Sequence, residues 1–114
     1  MDKSEKEALK KAVYDIVKII PYGRATSYGA IAKASGYYNL SRMVGRIMGE
    51  CDSAKEGIPA HRVVNSQGML SGKDAFGDSS EMQRLLESEG VSVANNRIKN
   101  WKEVFWNPLN EINI

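Results

Sequence analysis

The segment that determines the fold reads Thr26-Ser-Tyr-Gly-Ala-Ile-Ala-Lys-Ala-Ser-Gly36, then Tyr-Tyr-Asn, then Leu40-Ser-Arg-Met-Val-Gly-Arg-Ile-Met-Gly-Glu50. Thr26 or Ser27 can cap a short helix through about Ser35, and the following glycine ends it. The Tyr-Tyr-Asn tripeptide predicts a turn, and the remainder of the segment predicts a helix from about residue 40 to residue 50. Two short helices joined by a glycine-containing turn are typical of a helix-turn-helix.

The second of these helices has two different faces. At 100° per residue, one side is apolar and the other carries only arginine and glycine. The apolar side holds Leu40, Val44, Ile47 and Met48, and the other side holds Arg42, Gly45, Arg46 and Gly49. Two helical glycines cost roughly 1 kcal/mol each relative to alanine, but on an exposed face they let another backbone approach closely. The structural alternative is that Gly45 packs against a neighbouring helix and Gly49 caps the end.

A long amphipathic helix precedes this segment. Ser4 with Glu7 forms a capping box at its start, and Asp2 with Glu5 is a second possibility. Its apolar positions follow helical spacing, which predicts one buried face. These positions are Leu9, Ala12, Val13, Ile16, Val17 and Ile20, after which Pro21-Tyr-Gly23 ends the helix.

The second half of the chain predicts short elements. Residues 51–58 and 71–78 read as loops, Val63-Val64 as a strand and residues 66–68 as a turn. Ser79 or Ser80 can cap a helix that turns Met82, Leu85 and Leu86 inward and ends at Gly90. Residues 91–99 predict a hairpin around Asn95-Asn96, and Trp101, Val104, Phe105 and Trp106 are expected to close the core. The predicted class is α/β in the α+β sense: one winged-helix-like domain over residues 1–114, with a helix-turn-helix and a small sheet.

Composition excludes several classes of protein. The chain has 114 residues, which suits one domain with one core. No apolar run approaches the ~18 residues of a membrane span, and no apolar leader begins the chain, so we expect a cytoplasmic protein, nucleoid-associated in a bacterium, with no membrane partner. One cysteine and one histidine exclude an internal disulfide and a Cys/His zinc site of the usual kind. No metal and no cofactor are expected.

Charge is informative through its distribution rather than its total. The net charge is only +2. Residues 24–49 contain four basic side chains and no acidic one, and residues 57–73 are also free of acids. Such windows fit a surface that faces phosphates, although chance in a basic chain explains them equally well.

No local signature of catalysis accompanies the single histidine, His61. Cys51 lies near Glu50, Asp52 and Glu56, whose charges disfavour a thiolate. We therefore expect an inert cysteine.

Four segments, in order, resemble the motifs of the O6-alkylguanine-DNA alkyltransferases. They are Pro21-Tyr-Gly-Arg-Ala-Thr-Ser-Tyr-Gly-Ala-Ile-Ala32, Ser41-Arg-Met-Val-Gly45, Ile58-Pro-Ala-His-Arg-Val-Val-Asn-Ser-Gln-Gly68 and Leu85-Leu-Glu-Ser-Glu-Gly90. In the third motif, Ala60 stands where the family has its reactive cysteine. The chain therefore resembles the alkyltransferase-like proteins, which bind the damaged base without repairing it.

The resemblance implies a role for the arginine and glycine face. The helix at residues 40–50 would enter the DNA minor groove, with Gly45, Arg46 and Gly49 against the backbone. Arg42 would fill the gap left by a flipped base, and Tyr28 would push the 3′ phosphate and help to rotate the nucleotide.

The resemblance also implies a lesion pocket beside Ala60, lined by residues 58–60 and 71–77. Tyr28, Pro59, Arg62 and Lys73 would contribute to it, with Lys73 against the purine. A solvated loop lysine is the alternative. His61 and Glu89 match two members of the family's proton relay and would be structural remnants here. Cys51 stands where the family has an asparagine that braces the active-site turn.

The implied function is recognition of O6-alkylguanine in duplex DNA through the minor groove, with base flipping and no alkyl transfer. The lesion would then pass to nucleotide excision repair proteins, and the binder is expected to be a monomer. Two alternatives remain open: a divergent methyltransferase that uses Cys51, and a plain helix-turn-helix transcription factor.

Overall fold

The computed structural model describes residues 2–72 and 80–111, which form helices with short strands between them. In chain order the elements are α1 (Lys3–Lys18), β1 (Thr26–Ser27), α2 (Tyr28–Ala34), α3 (Ser41–Glu50), α4 (Ser53–Glu56), a 3₁₀ turn (Ala60–Arg62), β2 (Val63–Val64), α5 (Glu81–Ser88), β3 (Val93–Ala94), β4 (Arg97–Ile98), α6 (Trp101–Val104) and α7 (Pro108–Glu111). The α+β class and the α2–α3 helix-turn-helix are confirmed.

Local chemistry explains where the first helices begin and end. The carboxylate of Asp2 accepts a hydrogen bond from the Glu5 amide at 2.8 Å, so the second of the two predicted caps is the one used. Ser27 caps α2 by accepting from the Ala30 amide at 3.1 Å. After α2, Gly36 has a φ of +86°, a conformation that glycine adopts without the steric cost of a side chain.

Two apolar clusters form the core, and the pairing of β1 with β2 lies between them. The first cluster joins α1, α2 and α3 and includes Leu9, Val13, Val17, Ile31, Val44, Ile47 and Trp106. The second lies under α5 and the β3–β4 hairpin and includes Val64, Leu70, Met82, Leu86 and Ile98. Strands β1 and β2 are parallel, with Thr26 opposite Val63. Since α2 follows β1 and the 3₁₀ turn precedes β2, the pairing connects these two elements through adjacent strands.

The predicted hairpin is confirmed. Strands β3 and β4 are antiparallel, with Val93 opposite Ile98. Asn95 and Asn96 both have positive φ, +52° and +64°. Asparagine tolerates this conformation better than most residues, which explains why this pair forms the tight turn.

Several boundaries differ from the expectations. Residues 51–58 are not wholly a loop, since α4 lies within them. Ser80 precedes α5 but makes no capping hydrogen bond to the helix backbone, because its own backbone is helical rather than extended. The expected caps and loops at residues 73–79 lie outside the described residues.

The predicted closure of the core is confirmed for Trp106, which is 3% exposed, and for Trp101 and Val104, which are half-buried and pack against the second cluster. Phe105 is half-buried and belongs to neither cluster. Trp101 is half-buried because its ring lies over Gly68, where a Cβ atom would be 2.9 Å from the ring, while its indole nitrogen donates to the Ser66 carbonyl at 3.1 Å. In the parts of the chain that the structure describes, no helix has the length and apolar character needed to cross a membrane.

Candidate nucleic-acid interface

Helix α3 presents the two faces expected from its sequence. Val44, Ile47 and Met48 are buried, whereas Arg42, Arg46 and Gly49 are exposed. Among residues 2–72 and 80–111, no atom lies within 4 Å of a Cβ atom placed on Gly49, apart from its chain neighbours and the backbone of its own helix. Cys51 rather than Gly49 occupies the C-cap. The structural alternative for Gly49 is therefore wrong.

Gly45 has a structural role as well as a surface position. It is half-buried, and a Cβ atom built on it would lie 3.9 Å from the ring of Tyr28. The structural alternative for Gly45, packing against a neighbouring helix, thus holds. The contact leaves ordinary van der Waals space, so the free protein does not require glycine at this position on steric grounds.

The three arginines of the acid-free window over residues 24–49 divide into two groups. Arg24 is committed to the fold: its guanidinium donates to the carbonyl oxygens of Val104 at 2.9 Å and Phe105 at 2.6 Å, and pairs with Glu111 at 3.1 Å. Arg42 and Arg46, by contrast, are exposed and make no hydrogen bond or ion pair with any residue in the described ranges. Their charges remain available to a ligand.

A narrow cleft opens beside α3. Its lining comprises Tyr28, Gly45, Met48, Gly49, Ala60, Val63, Gly72 and Met82. The space open to the centre of a water molecule is only about 30 Å³, which holds one or two waters. Because Gly45 and Gly49 line the cleft from α3, the cleft and the arginine face of that helix share an edge.

The structure brings some of the predicted pocket residues together and separates others. Tyr28 and Ala60 line the cleft, and Ala60 is 8% exposed. Pro59 and Arg62 are not among the lining residues. Lys73 lies outside the described residues. The cleft also includes Met48, Val63 and Met82, which sequence periodicity identified only as apolar and inward, so no signal separated them from the core.

Arg62 points instead into a network centred on the Glu89 carboxylate. Its Nε and Nη2 atoms donate to Glu89 at 2.8–3.1 Å, and its Nη1 donates to the Ile20 carbonyl at 2.8 Å. Glu89 also accepts from the Gly23 amide at 2.8 Å and lies 2.5 Å from His61 Nε2. The predicted placement of Arg62 in the pocket is not what the structure has, because its planar guanidinium matches the carboxylate.

This network fixes the turn that contains Ala60. It joins the segment after α1, the 3₁₀ turn and the end of α5. Burial disfavours the charge on Glu89, but hydrogen bonds from Arg62, Gly23 and His61 hold the pKa of the carboxyl down at about 2. Glu89 is thus ionised at neutral pH and acts as an anchor. The sequence holds no local signal for this pairing, since Arg62 and Glu89 are 27 residues apart.

Cys51 has the unreactive surroundings expected from its neighbours. Burial raises the pKa of the thiol, the charges of Glu56 and Asp52 add to the effect, and a hydrogen bond with Tyr14 opposes it. Cys51 does not line the cleft. Within residues 2–72 and 80–111, no group of three His, Cys, Asp or Glu side chains could hold a metal ion.

Comparison with known proteins gives consistent matches. Residues 8–91 match the family model described as 6-O-methylguanine DNA methyltransferase, DNA binding domain. Alkyltransferase-like protein 1 of Schizosaccharomyces pombe is 35% identical over 100 residues, covering 84% of this chain and 92% of that protein. The DNA base-flipping protein of Escherichia coli K12 is 34% identical over 108 residues, covering 93% and 81%. A crystal structure of S. pombe Atl1 with damaged DNA containing O6-carboxymethylguanine superposes with a TM-score of 0.79 at 33% identity, covering 93% and 98%.

Proposed function

Because this chain belongs to the alkyltransferase-like members of the O6-methylguanine-DNA methyltransferase family, we propose that it binds O6-alkylguanine in duplex DNA. Helix α3 enters the minor groove, and the damaged base is flipped into the cleft beside Ala60. The protein transfers no alkyl group. The solved complex of a relative with O6-carboxymethylguanine DNA supports this choice of ligand.

The shared edge between the cleft and the arginine face of α3 supports this function most directly. A flipped base rotates out of the duplex into a pocket of the protein, so the pocket must open next to the surface that binds the duplex. Gly45 and Gly49 line that passage, and glycine permits a close approach by the DNA backbone. Arg42 then replaces the extruded base in the stack, Arg46 contacts phosphate, and Tyr28 assists rotation of the nucleotide.

The absence of a nucleophile supports binding without transfer. The side chain at position 60 is a methyl group, and the one thiol of the chain, Cys51, lies outside the cleft and has a raised pKa. His61 and Glu89 serve the fold, because their hydrogen bond belongs to the network that holds the turn. No observation favours the methyltransferase that would use Cys51.

A protein that binds a damaged base without repairing it only shields that base. Another protein must therefore remove the lesion. Nucleotide excision repair proteins, which remove a damaged segment, suit this requirement, and the protein acts as a monomer that marks the site. In a reconstituted excision reaction, added protein should speed removal of the lesion. Slower removal would make the protein a shield and would contradict the partner assignment.

The absence of transfer is tested by intact-mass measurement after incubation with a duplex that carries isotopically labelled O6-methylguanine. We expect an unchanged protein mass and an intact lesion in the recovered DNA. A gain of one methyl group, located on Cys51 by peptide mapping, would overturn the non-enzymatic proposal. The matched control is Cys51→Ser, which should give the same unchanged lesion.

A further inference from the structure

Tyr28 spans the cleft between two glycines. Its ring lies against Gly45 of α3, at 3.9 Å from a Cβ atom built there. At the other end its hydroxyl lies 2.9 Å from the position that a Cβ atom would take on Gly72. Real side chains essentially never approach that closely, so the hydroxyl occupies space that is open only because residue 72 is glycine.

In this position the tyrosine closes the cleft. Tyr28, Gly45, Gly72 and Ala60 all line it, and the space left is about 30 Å³ for water centres. A purine is far larger than the one or two waters that fit, so one wall must move before a base can enter. Among the described lining residues we take Tyr28 as the side chain that moves. It packs against the first cluster but is only half-buried, and its hydroxyl makes no hydrogen bond with any described residue.

We infer that Gly72 is a specificity-determining residue. Because it has no side chain, the Tyr28 hydroxyl can occupy the space beside it, and in that position Tyr28 keeps the lesion cleft closed until a base is extruded. This inference rests on the proposed function. A closed cleft lowers apparent affinity by the fraction of molecules that are open. This loss of apparent affinity applies only when a flipped base enters the cleft. Binding that leaves every base in the duplex is unaffected by the closed cleft. Gly72 therefore tunes the ratio of damaged to undamaged binding.

Alanine at position 72 is the direct test. Gly72 does not have a φ in the left-handed region, so alanine introduces no backbone strain and acts through its methyl group. The methyl group would displace the far end of the Tyr28 side chain and hold the cleft open. For Gly72→Ala we expect O6-methylguanine duplex to bind roughly three- to tenfold tighter, with unchanged affinity for the undamaged duplex.

A double-mutant cycle isolates the contact. Tyr28→Phe removes the hydroxyl that meets residue 72, so Gly72→Ala should have little effect on lesion affinity in the Tyr28→Phe background. An equal effect of Gly72→Ala in both backgrounds, or no gain in lesion affinity with Tyr28 present, would overturn the inference.

A measurement on the DNA-free protein separates this inference from the proposed function. With ¹³C-labelled tyrosine, the Tyr28 ring signal is assigned by its loss in Tyr28→Phe. Gly72→Ala should shift that signal more than those of the other four tyrosines. A protein that showed the shift but bound no lesion would refute the function and keep the closure, whereas lesion binding without the shift would refute the closure alone.

Discussion

At residue 60 a methyl group faces the cleft, and beside it His61 Nε2 lies 2.5 Å from the Glu89 carboxylate. Glu89 also accepts hydrogen bonds from Arg62 and Gly23. Arg42, in contrast, has no partner among the described residues. The side chains near the cleft therefore divide into those that hold the turn and those left free for a ligand.

Arg42→Ala should reduce the ratio of damaged to undamaged binding. The Arg42 side chain fills the gap in the base stack only when a base is extruded. Its loss should therefore weaken binding of the damaged duplex more than binding of the undamaged duplex. Arg46→Ala is the matched control on the same face of α3. Loss of its phosphate contact should weaken binding of both duplexes alike. It should also reduce the slope of log binding constant against log salt concentration by about one unit. Titrations of both duplexes at several salt concentrations measure these changes. If Arg42→Ala left the ratio of damaged to undamaged binding unchanged, Arg42 would not be the residue that fills the gap left by the flipped base.

Ala60→Cys should give little or no methyl transfer, although His61 and Glu89 are in place. Transfer requires a thiolate aligned with the alkyl carbon at ~3–3.5 Å, and a thiol beside Met48 and Val63 would have its pKa raised by burial. Single-turnover mass measurements check this, with Ala60→Ser as a control for side-chain size. Transfer at the rate of a true alkyltransferase would show that the cleft already has catalytic geometry.

Glu89 should make the fold sensitive to acid. The pKa of its carboxyl is about 2 in the folded protein against an ordinary 4.5. The ionised Glu89 carboxylate therefore contributes fully to the free energy of unfolding above pH 4.5, and this contribution is lost as the pH falls toward 2. At neutral pH Glu89→Gln should cost up to about 3 kcal/mol, because it leaves the charge of the half-buried Arg62 without its partner. Urea unfolding from pH 7 to pH 2.5 should show the two proteins converging, and a constant difference would contradict the assignment.

At the scale of the element, α3 has one face of buried apolar side chains and an opposite face on which two of the residues are glycines. Val44 and Ile47 fix the helix in the core, so the position of its outer face is set by packing rather than by surface contacts. Glycine at position 49 lowers helix stability, and a side chain there would contact no other element in the described part of the chain. We therefore attribute its presence to an approaching ligand.

Gly49→Ala should raise stability while weakening DNA binding. Alanine is favoured over glycine in a helix by up to about 1 kcal/mol, and the space around residue 49 is open. The added methyl group would meet the DNA backbone in the groove. Gly29→Ala in α2, where the space is equally open, is the control and should not share the loss of affinity. Thermal unfolding and duplex titration together measure the effect, and undiminished binding by Gly49→Ala would place the DNA elsewhere.

At the scale of the whole molecule, the parts predicted from sequence were those with strong local patterns. The two faces of α3, the Ser27 cap and the Asn95-Asn96 turn each follow from a few adjacent residues. Long-range pairings carried no such signal: Arg62 with Glu89, and Arg24 with the C-terminal segment, depend on how distant turns pack. The cleft walls at Met48, Val63 and Met82 could not be told from core, because the same apolar pattern predicts both.

Lesion recognition requires the joint action of α3, Tyr28 and the cleft beside Ala60. The most direct test is the dissociation constant for one duplex prepared with and without a single O6-methylguanine, at the same salt concentration. We predict binding of the damaged duplex at least about tenfold tighter, equivalent to about 1.4 kcal/mol. Equal affinity for the two duplexes would contradict lesion recognition and leave an ordinary helix-turn-helix DNA-binding protein.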